Sequence, residues 1–215
     1  MADPYRACLL DALGTIVRLR PPWHELDPAL ADGIPPERVR AAFRAEMAFY
    51  AANADRGRDA ASLAALREES AAILSAELGR AVSVRAMMDA IRFEPYPDAA
   101  PALAALRDRG LRLVCVSNWD YELGTVLERI GLAAALDGIV TSAAAGARKP
   151  DPAIFAAALE IAGCPAAAAL HVGDSDEDVA GARAAGVDVV RIDREGGADV
   201  SSLAEIVELV DTRGR

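Results

Sequence analysis

Five short apolar runs, the last four separated by helical patterns, constrain this chain more than any other feature of its sequence. They lie at Tyr5–Asp11, Leu111–Ser117, Gly138–Ser142, Ala169–Asp174 and Val187–Asp193. Near-continuous apolar strands are what a parallel sheet needs when both of its faces are covered. Helical periodicity occupies residues 97–109, 120–130, 151–162 and 176–185. The alternation predicts an α/β fold, a doubly wound, Rossmann-like parallel sheet with right-handed crossovers. Start and stop signals agree: several helices open near an Asp, and Gly110, Gly131, Gly163 and Gly186 stand where helices should end.

The interval after the first run breaks this rhythm. From Ile16 to about Arg92 there is no strand signal, only Ala-rich helical pattern in segments such as Pro36–Ala54 and Ala61–Leu78. Pro21 and Pro22 precede these segments, and Pro95 and Pro97 follow them. Such a length is too great for one crossover. The expected organisation is a core of residues 1–16 and 95–215 and a helical cap subdomain of residues 17–94. The cap should lie over the carboxyl edge of the sheet, with proline-containing linkers as hinges.

A net charge of -10 leaves no basic stripe for a nucleic-acid backbone. No stretch reaches the ~18 to 20 uncharged apolar residues that a membrane span requires. The N-terminal Met-Ala-Asp-Pro-Tyr-Arg lacks a basic region followed by an apolar run, so no signal peptide is expected. Cys8, Cys115 and Cys164 are odd in number and widely spaced, and two fall inside strand-like runs. They read as small buried hydrophobes in a reducing compartment, which makes a cytoplasmic location the expectation. Oligomeric state is not encoded in any feature of the sequence.

In an open α/β sheet, ligands bind beyond the carboxyl ends of the strands. Four of the runs here deliver polar residues to that edge: Asp11 with Gly14 and Thr15; Ser117 and Asn118; the loop carrying Lys149; and Gly173-Asp174 with Asp176, Glu177 and Asp178. Lys149 is the one lysine among 23 basic residues, the rest being arginine. A compact, movable point charge suits a crowded anionic centre better than a planar fork does. Asp11 and Asp174 on adjacent strands would repel strongly in one pocket. A hard divalent cation relieves that conflict, and Mg²⁺ is the expected cofactor because it leaves positions open for phosphate. Asp11 then reads as a nucleophile of the aspartyl-phosphate type. Trp119 either floors a substrate pocket or packs beneath the helices, and His171, inside a strand, is a core residue or a support for the site.

Leu10-Asp11-Ala12-Leu13-Gly14-Thr15, Ser117-Asn118, Lys149-Pro150 and Gly173-Asp174-Ser175-Asp176-Glu177-Asp178 together resemble the four motifs of the haloacid dehalogenase superfamily. The resemblance covers essentially the whole chain, including a helical cap after the first motif. It implies Asp11 as nucleophile, and Thr15 or Ser117 with Lys149, also catalytic, as binders of the transferred group; Asn118 and Trp119, which follow Ser117 at the mouth of the site, are expected on the substrate side. It implies Mg²⁺ held by Asp11, Asp174 and the Leu13 backbone carbonyl, with Asp178 in the outer sphere or on Lys149. The expected partner is a small-molecule substrate, with no nucleic acid and no membrane.

One position departs from the family's phosphatases. They carry an aspartate two residues after the nucleophile as general acid and base, and this chain has Leu13. That class of residue contributes about 10² to 10⁴ in rate. The expected activity is hydrolysis of a small phosphorylated metabolite, weakened for poor leaving groups and favouring acyl or aryl phosphates. The alternatives are a 2-haloacid dehalogenase and a catalytically idle protein that binds a phosphorylated ligand or a partner.

Overall fold

All five apolar runs form strands in the computed structural model, which describes residues 4–213. The chain begins with β1 (Ala7–Leu10) and β2 (Val17–Leu19), followed by α1 (Pro22–Glu25), α2 (Pro28–Ala31), α3 (Pro36–Asn53), α4 (Ala60–Leu78) and α5 (Val84–Ala90). Next come β3 (Phe93–Pro95), α6 (Ala99–Asp108), β4 (Arg112–Ser117), α7 (Leu123–Arg129), β5 (Gly138–Thr141) and α8 (Ser142–Ala145). It ends with α9 (Pro152–Ala162), β6 (Ala169–Gly173), α10 (Asp176–Ala184), β7 (Asp188–Arg191) and α11 (Leu203–Arg213).

Five strands make a parallel sheet in the order β5-β4-β1-β6-β7. The chain steps outward from β1 through β4 to β5, then crosses to the other side for β6 and β7, so the winding reverses beside β1. That reversal opens a crevice beyond the carboxyl ends of β1, β4 and β6.

Successive strand residues point to opposite faces, and both faces are buried. Cys8, Leu10, Leu113, Cys115, Leu170 and Val172 share one core with Leu103, Leu127 and Ile206. Ala7, Leu9, Val114, Val116 and Ala169 share the other with Ile154, Phe155 and Ala182. Two covered faces explain why these strands read as unbroken apolar runs. Cys8 and Cys115 are free and buried, and burial pushes the Cys8 thiol up to about 12. Gly110, Gly131, Gly163 and Gly186 all adopt positive φ where helices stop.

Between β2 and β3 the helices gather a third core of their own, with Leu26, Val39, Phe43, Leu74, Leu78 and Met87 at its centre. α4 opens on a reciprocal Asp59–Ser62 capping box and closes at left-handed Gly79. The insert joins the sheet domain through an antiparallel ribbon in which Val17 faces Pro95 and Leu19 faces Phe93. Arg20 N–H to Arg92 O (2.9 Å) and Tyr96 N–H to Ile16 O (3.1 Å) extend the ribbon. β2 lies within the interval that carried no strand signal. Each ribbon strand has three residues, too few for an alternation to register, and Pro95 lacks an N–H to donate. Pro95, expected in a linker, is therefore part of a paired strand.

The insert also touches the loop after β4. Tyr50 donates its hydroxyl hydrogen bond to Asp120, Arg67 pairs with Glu122 at 2.6 Å, and Tyr121 N–H reaches Gly57 O at 2.9 Å. From the loop before α9, Arg148 donates to the carbonyls of Ala51 (3.2 Å) and Ala52 (2.9 Å) near the C-terminal end of α3, where a cation is favoured. Among the described residues no helix is long and apolar enough to cross a membrane.

Candidate active site

β1 is buried along its whole length, so the residue that follows it emerges at the crevice. That residue is Asp11, whose N–H donates to Val172 O at 2.9 Å. Ser117, the last residue of β4, donates its hydroxyl to Asp11 Oδ1 at 3.0 Å. Lys149 Nζ lies 2.5 Å from Asp11 Oδ1 and 2.5 Å from Asp178 Oδ1. Asn118 fixes the lysine's main chain: its Oδ1 accepts from Lys149 N–H at 2.8 Å, and its Nδ2 donates to Lys149 O at 3.1 Å and to Glu177 Oε2 at 2.8 Å.

Asp178 is held from three sides. It sits at the N3 position of α10, in a reciprocal capping box with Ser175. His171 Nε2 lies 2.8 Å from its Oδ1, while His171 Nδ1 faces Leu9 O at 3.1 Å. Gly173 makes room for it, because a Cβ there would stand 2.3 Å from the Asp178 carboxyl carbon.

The charges settle accordingly. Burial raises the Asp11 carboxyl to about 6, with Lys149 pulling it down and Asp178 and Asp174 pushing it up. Burial would lower the Lys149 ammonium, but Asp11 and Asp178 outweigh that and hold it above the usual lysine range. Burial would raise Asp178 too, yet the His171 hydrogen bond and the Lys149 charge hold it below the usual carboxylate range.

One ammonium does not balance three acids. Oxygens of Asp11, Asp174 and Asp178 all lie within 4.8 Å of one another. Asp174 accepts no hydrogen bond from the side chain of any other described residue, and burial pushes its carboxyl up. Gly14, at φ +89, clears the space in front of it, since a Cβ there would lie 2.1 Å from Asp174 Oδ2. A hard cation with oxygen ligands fits this donor set.

These groups form one end of a cavity of about 670 Å³ between the sheet edge and the helical insert. Asp11, Leu13, Ser117, Asn118, Trp119, Lys149, Asp174 and Asp178 all line it. Trp119 lines the cavity and packs on Phe93 of β3 with ring centroids 5.0 Å apart. Thr15 is placed differently: it is fully buried, is absent from the cavity lining, and its hydroxyl finds no partner. Leu13 lines the cavity and is 39% exposed. Sequence reasoning missed Glu46, a lining residue of α3 that is only 2% exposed. Its signal was an acid three residues from Phe43 and adjacent to Met47 on an otherwise apolar helix face.

The family model for haloacid dehalogenase-like hydrolases matches residues 5–186. The chain belongs to this family. As a haloacid dehalogenase-like hydrolase it is 47% identical over 90 residues to haloacid dehalogenase-like hydrolase domain-containing protein 3 of Bos taurus. It is 46% identical over 96 residues to phosphoglycolate phosphatase of Rhodospirillum rubrum. Those segments cover 41% and 44% of this chain, and only 36% and 40% of the two relatives. The hydrolase shares its fold with L-2-haloacid dehalogenase from Xanthobacter autotrophicus, at TM-score 0.70 and 24% identity over 96% of this chain and 98% of that one. HAD phosphatase from Thermococcus onnurineus is similar at TM-score 0.68 and 25% identity, over 95% and 97% of the two chains.

Proposed function

We propose that this hydrolase is a Mg²⁺-dependent phosphatase of a small phosphorylated metabolite, with Asp11 as nucleophile. The observation that carries the reading is the group of three carboxylates around a single lysine, with Asp174 taking no hydrogen bond from another described side chain. Similarity to phosphoglycolate phosphatase supports phosphate as the transferred group.

An Asp11 oxygen attacks phosphorus, the bond from phosphorus to the leaving oxygen breaks, and an aspartyl phosphate forms. Water then attacks phosphorus, the bond to Asp11 breaks, and the carboxylate returns with release of phosphate. Lys149 and Ser117, already bonded to Asp11, orient it and bind phosphoryl oxygens. Asn118 keeps the lysine in place through its main chain. Asp11, Asp174 and the Leu13 carbonyl would hold Mg²⁺, with Asp178 in its outer sphere. When bound, the ion neutralises charge that Asp11 and phosphate bring together. The helical insert acts as a cap that excludes water and shapes the pocket. Leu13 has no proton to give, so acyl and aryl phosphates are the preferred substrates.

Isothermal calorimetry tests the metal site. Wild-type protein should bind Mg²⁺, and Asp174→Asn should lose that binding with its fold intact by circular dichroism. Equal binding by both proteins would remove the basis of this reading. A metal-independent 2-haloacid dehalogenase is the second reading, favoured by the apolar Leu13 beside the nucleophile. It requires halide release that persists in EDTA.

A further inference from the structure

We infer that Glu46 is a specificity residue that receives a cationic amine on the apolar body of the substrate. This deepens the phosphatase reading and rests on it for the phosphate end of the ligand.

The inference comes from the partners of the acids that line the cavity. Asp11 and Asp178 share Lys149, and Glu177 takes the Asn118 amide. Asp120 takes the Tyr50 hydroxyl, and Glu122 pairs with Arg67. Asp89 is largely exposed and lies 3.8 Å from Arg85. Apart from exposed Asp89, two remain without a donor from another side chain at full hydrogen-bond geometry, Asp174 and Glu46. Asp174 stands in the cluster that fits a metal ion. Glu46 stands away from that cluster, on the insert.

Glu46 is more deeply buried than most surface acids ever are, at 2% exposure, and no arginine, lysine or histidine among the described residues lies at ion-pair distance. Its polar neighbours are Ser70, also fully buried, and Tyr50, whose hydroxyl is committed to Asp120. The Ser70 hydroxyl pulls the Glu46 carboxyl down slightly, yet it makes no hydrogen bond of normal geometry, and burial pushes the carboxyl up. A buried acid without a counter-charge is costly, and one that lines a cleft is a candidate for ligand contact. Met47, Met87, Met88, Phe93 and Trp119 complete this part of the lining. Methionines adapt to irregular apolar shapes, and aromatic rings accept a flat one. The ligand chemistry that satisfies both features is an apolar or aromatic body, phosphorylated at one end and carrying an ammonium at the other.

Two aryl phosphates test this: tyramine O-phosphate, and 4-propylphenyl phosphate as its neutral isostere with a similar leaving group. In saturating Mg²⁺, wild-type kcat/KM should favour the amine by about 10- to 100-fold, the range of one charge-assisted hydrogen bond. Glu46→Gln should bring the ratio close to one. A wild-type ratio near one, or a preference that survives Glu46→Gln, overturns the inference, and the wild-type arm needs no variant to fold. Tyramine and 4-propylphenol, as stabilisers against thermal unfolding, separate this claim from the phosphatase reading. If neither phosphate is hydrolysed but tyramine raises the Tm of wild type more than that of Glu46→Gln, the phosphatase reading falls and the role of Glu46 stands. Hydrolysis of both phosphates without preference leaves the phosphatase standing and removes the role of Glu46. If there is neither hydrolysis nor selective stabilisation by tyramine, both fall.

Discussion

On the sheet side of the cavity, Asp11, Ser117, Asn118, Lys149 and Asp178 are bonded to one another at 2.5–3.1 Å. On the insert side, Met47, Met87, Met88 and Ile91 offer mainly methyl and thioether surface, with Glu46 as a buried acid among them. The first wall is a polar network in which each group is placed by its neighbours, so removing one leaves others unsatisfied. The second is an apolar surface that tolerates changes of similar volume. On the proposed function, chemistry and selection fall to two walls that should differ in their sensitivity to substitution.

Mutations on the two walls should therefore differ by orders of magnitude. Asp11→Asn should reduce turnover of any substrate to background, a loss on the order of 10⁴-fold or more, comparable to loss of a member of a catalytic unit. Steady-state assay with a circular dichroism control checks this, and residual activity within tenfold of wild type would reassign the nucleophile.

Lys149→Arg should follow, with a loss of about 10²- to 10³-fold, the scale of one preorganised donor to developing charge. The ammonium nitrogen sits 2.5 Å from both Asp11 and Asp178, and a planar guanidinium cannot replace a point charge in that space. Wild-type turnover by this variant would show that the sheet wall tolerates exchange after all.

Leu13→Asp probes an apolar position on the sheet side, two residues from Asp11. Hydrolysis of a poor-leaving-group phosphate should rise by roughly 10- to 1000-fold, within the range of general acid–base catalysis. An aryl phosphate should gain much less, because its leaving group departs without a proton. The assay needs saturating Mg²⁺, since the variant places another carboxylate beside Asp11. Absence of gain on both substrates, with the fold intact, counts against the phosphatase reading and favours the dehalogenase.

Met87→Leu on the insert wall should change least, with stability falling by less than about 1.5 kcal/mol for a volume-conserving exchange. Urea denaturation measures the stability, and KM should shift by only a few fold on the scale of one adaptable apolar contact. A collapse of kcat in this variant would erase the contrast between the walls.

The sheet wall was legible in the sequence because strand ends are local: an apolar run stops, and the next polar residue must lie at the crevice. Asp11, Ser117 and Asp174 follow from that rule alone, and Lys149 stands out as the one lysine. Bonding partners were not legible. Asn118, expected beside the transferred group, has its amide atoms bonded to Lys149 and Glu177. Thr15 follows Gly14 in sequence, yet the turn buries its side chain. The β2–β3 ribbon pairs residues 17–19 with 93–95, a separation that no local pattern records. Glu46 is hidden because helical periodicity tolerates a lone acid on an apolar face, and only the packing of α3 decides whether that acid meets water.

Arg148 and Lys149 are adjacent in the chain and reach in opposite directions, one to the last turn of α3 and the other to Asp11. The two grips share a backbone, and parting α3 from the sheet would cost the Arg148 hydrogen bonds. Asn118, Asp11 and Asp178 hold Lys149 from the sheet side, so one dipeptide carries both a clasp on the insert and a fixed charge at the head of the sheet.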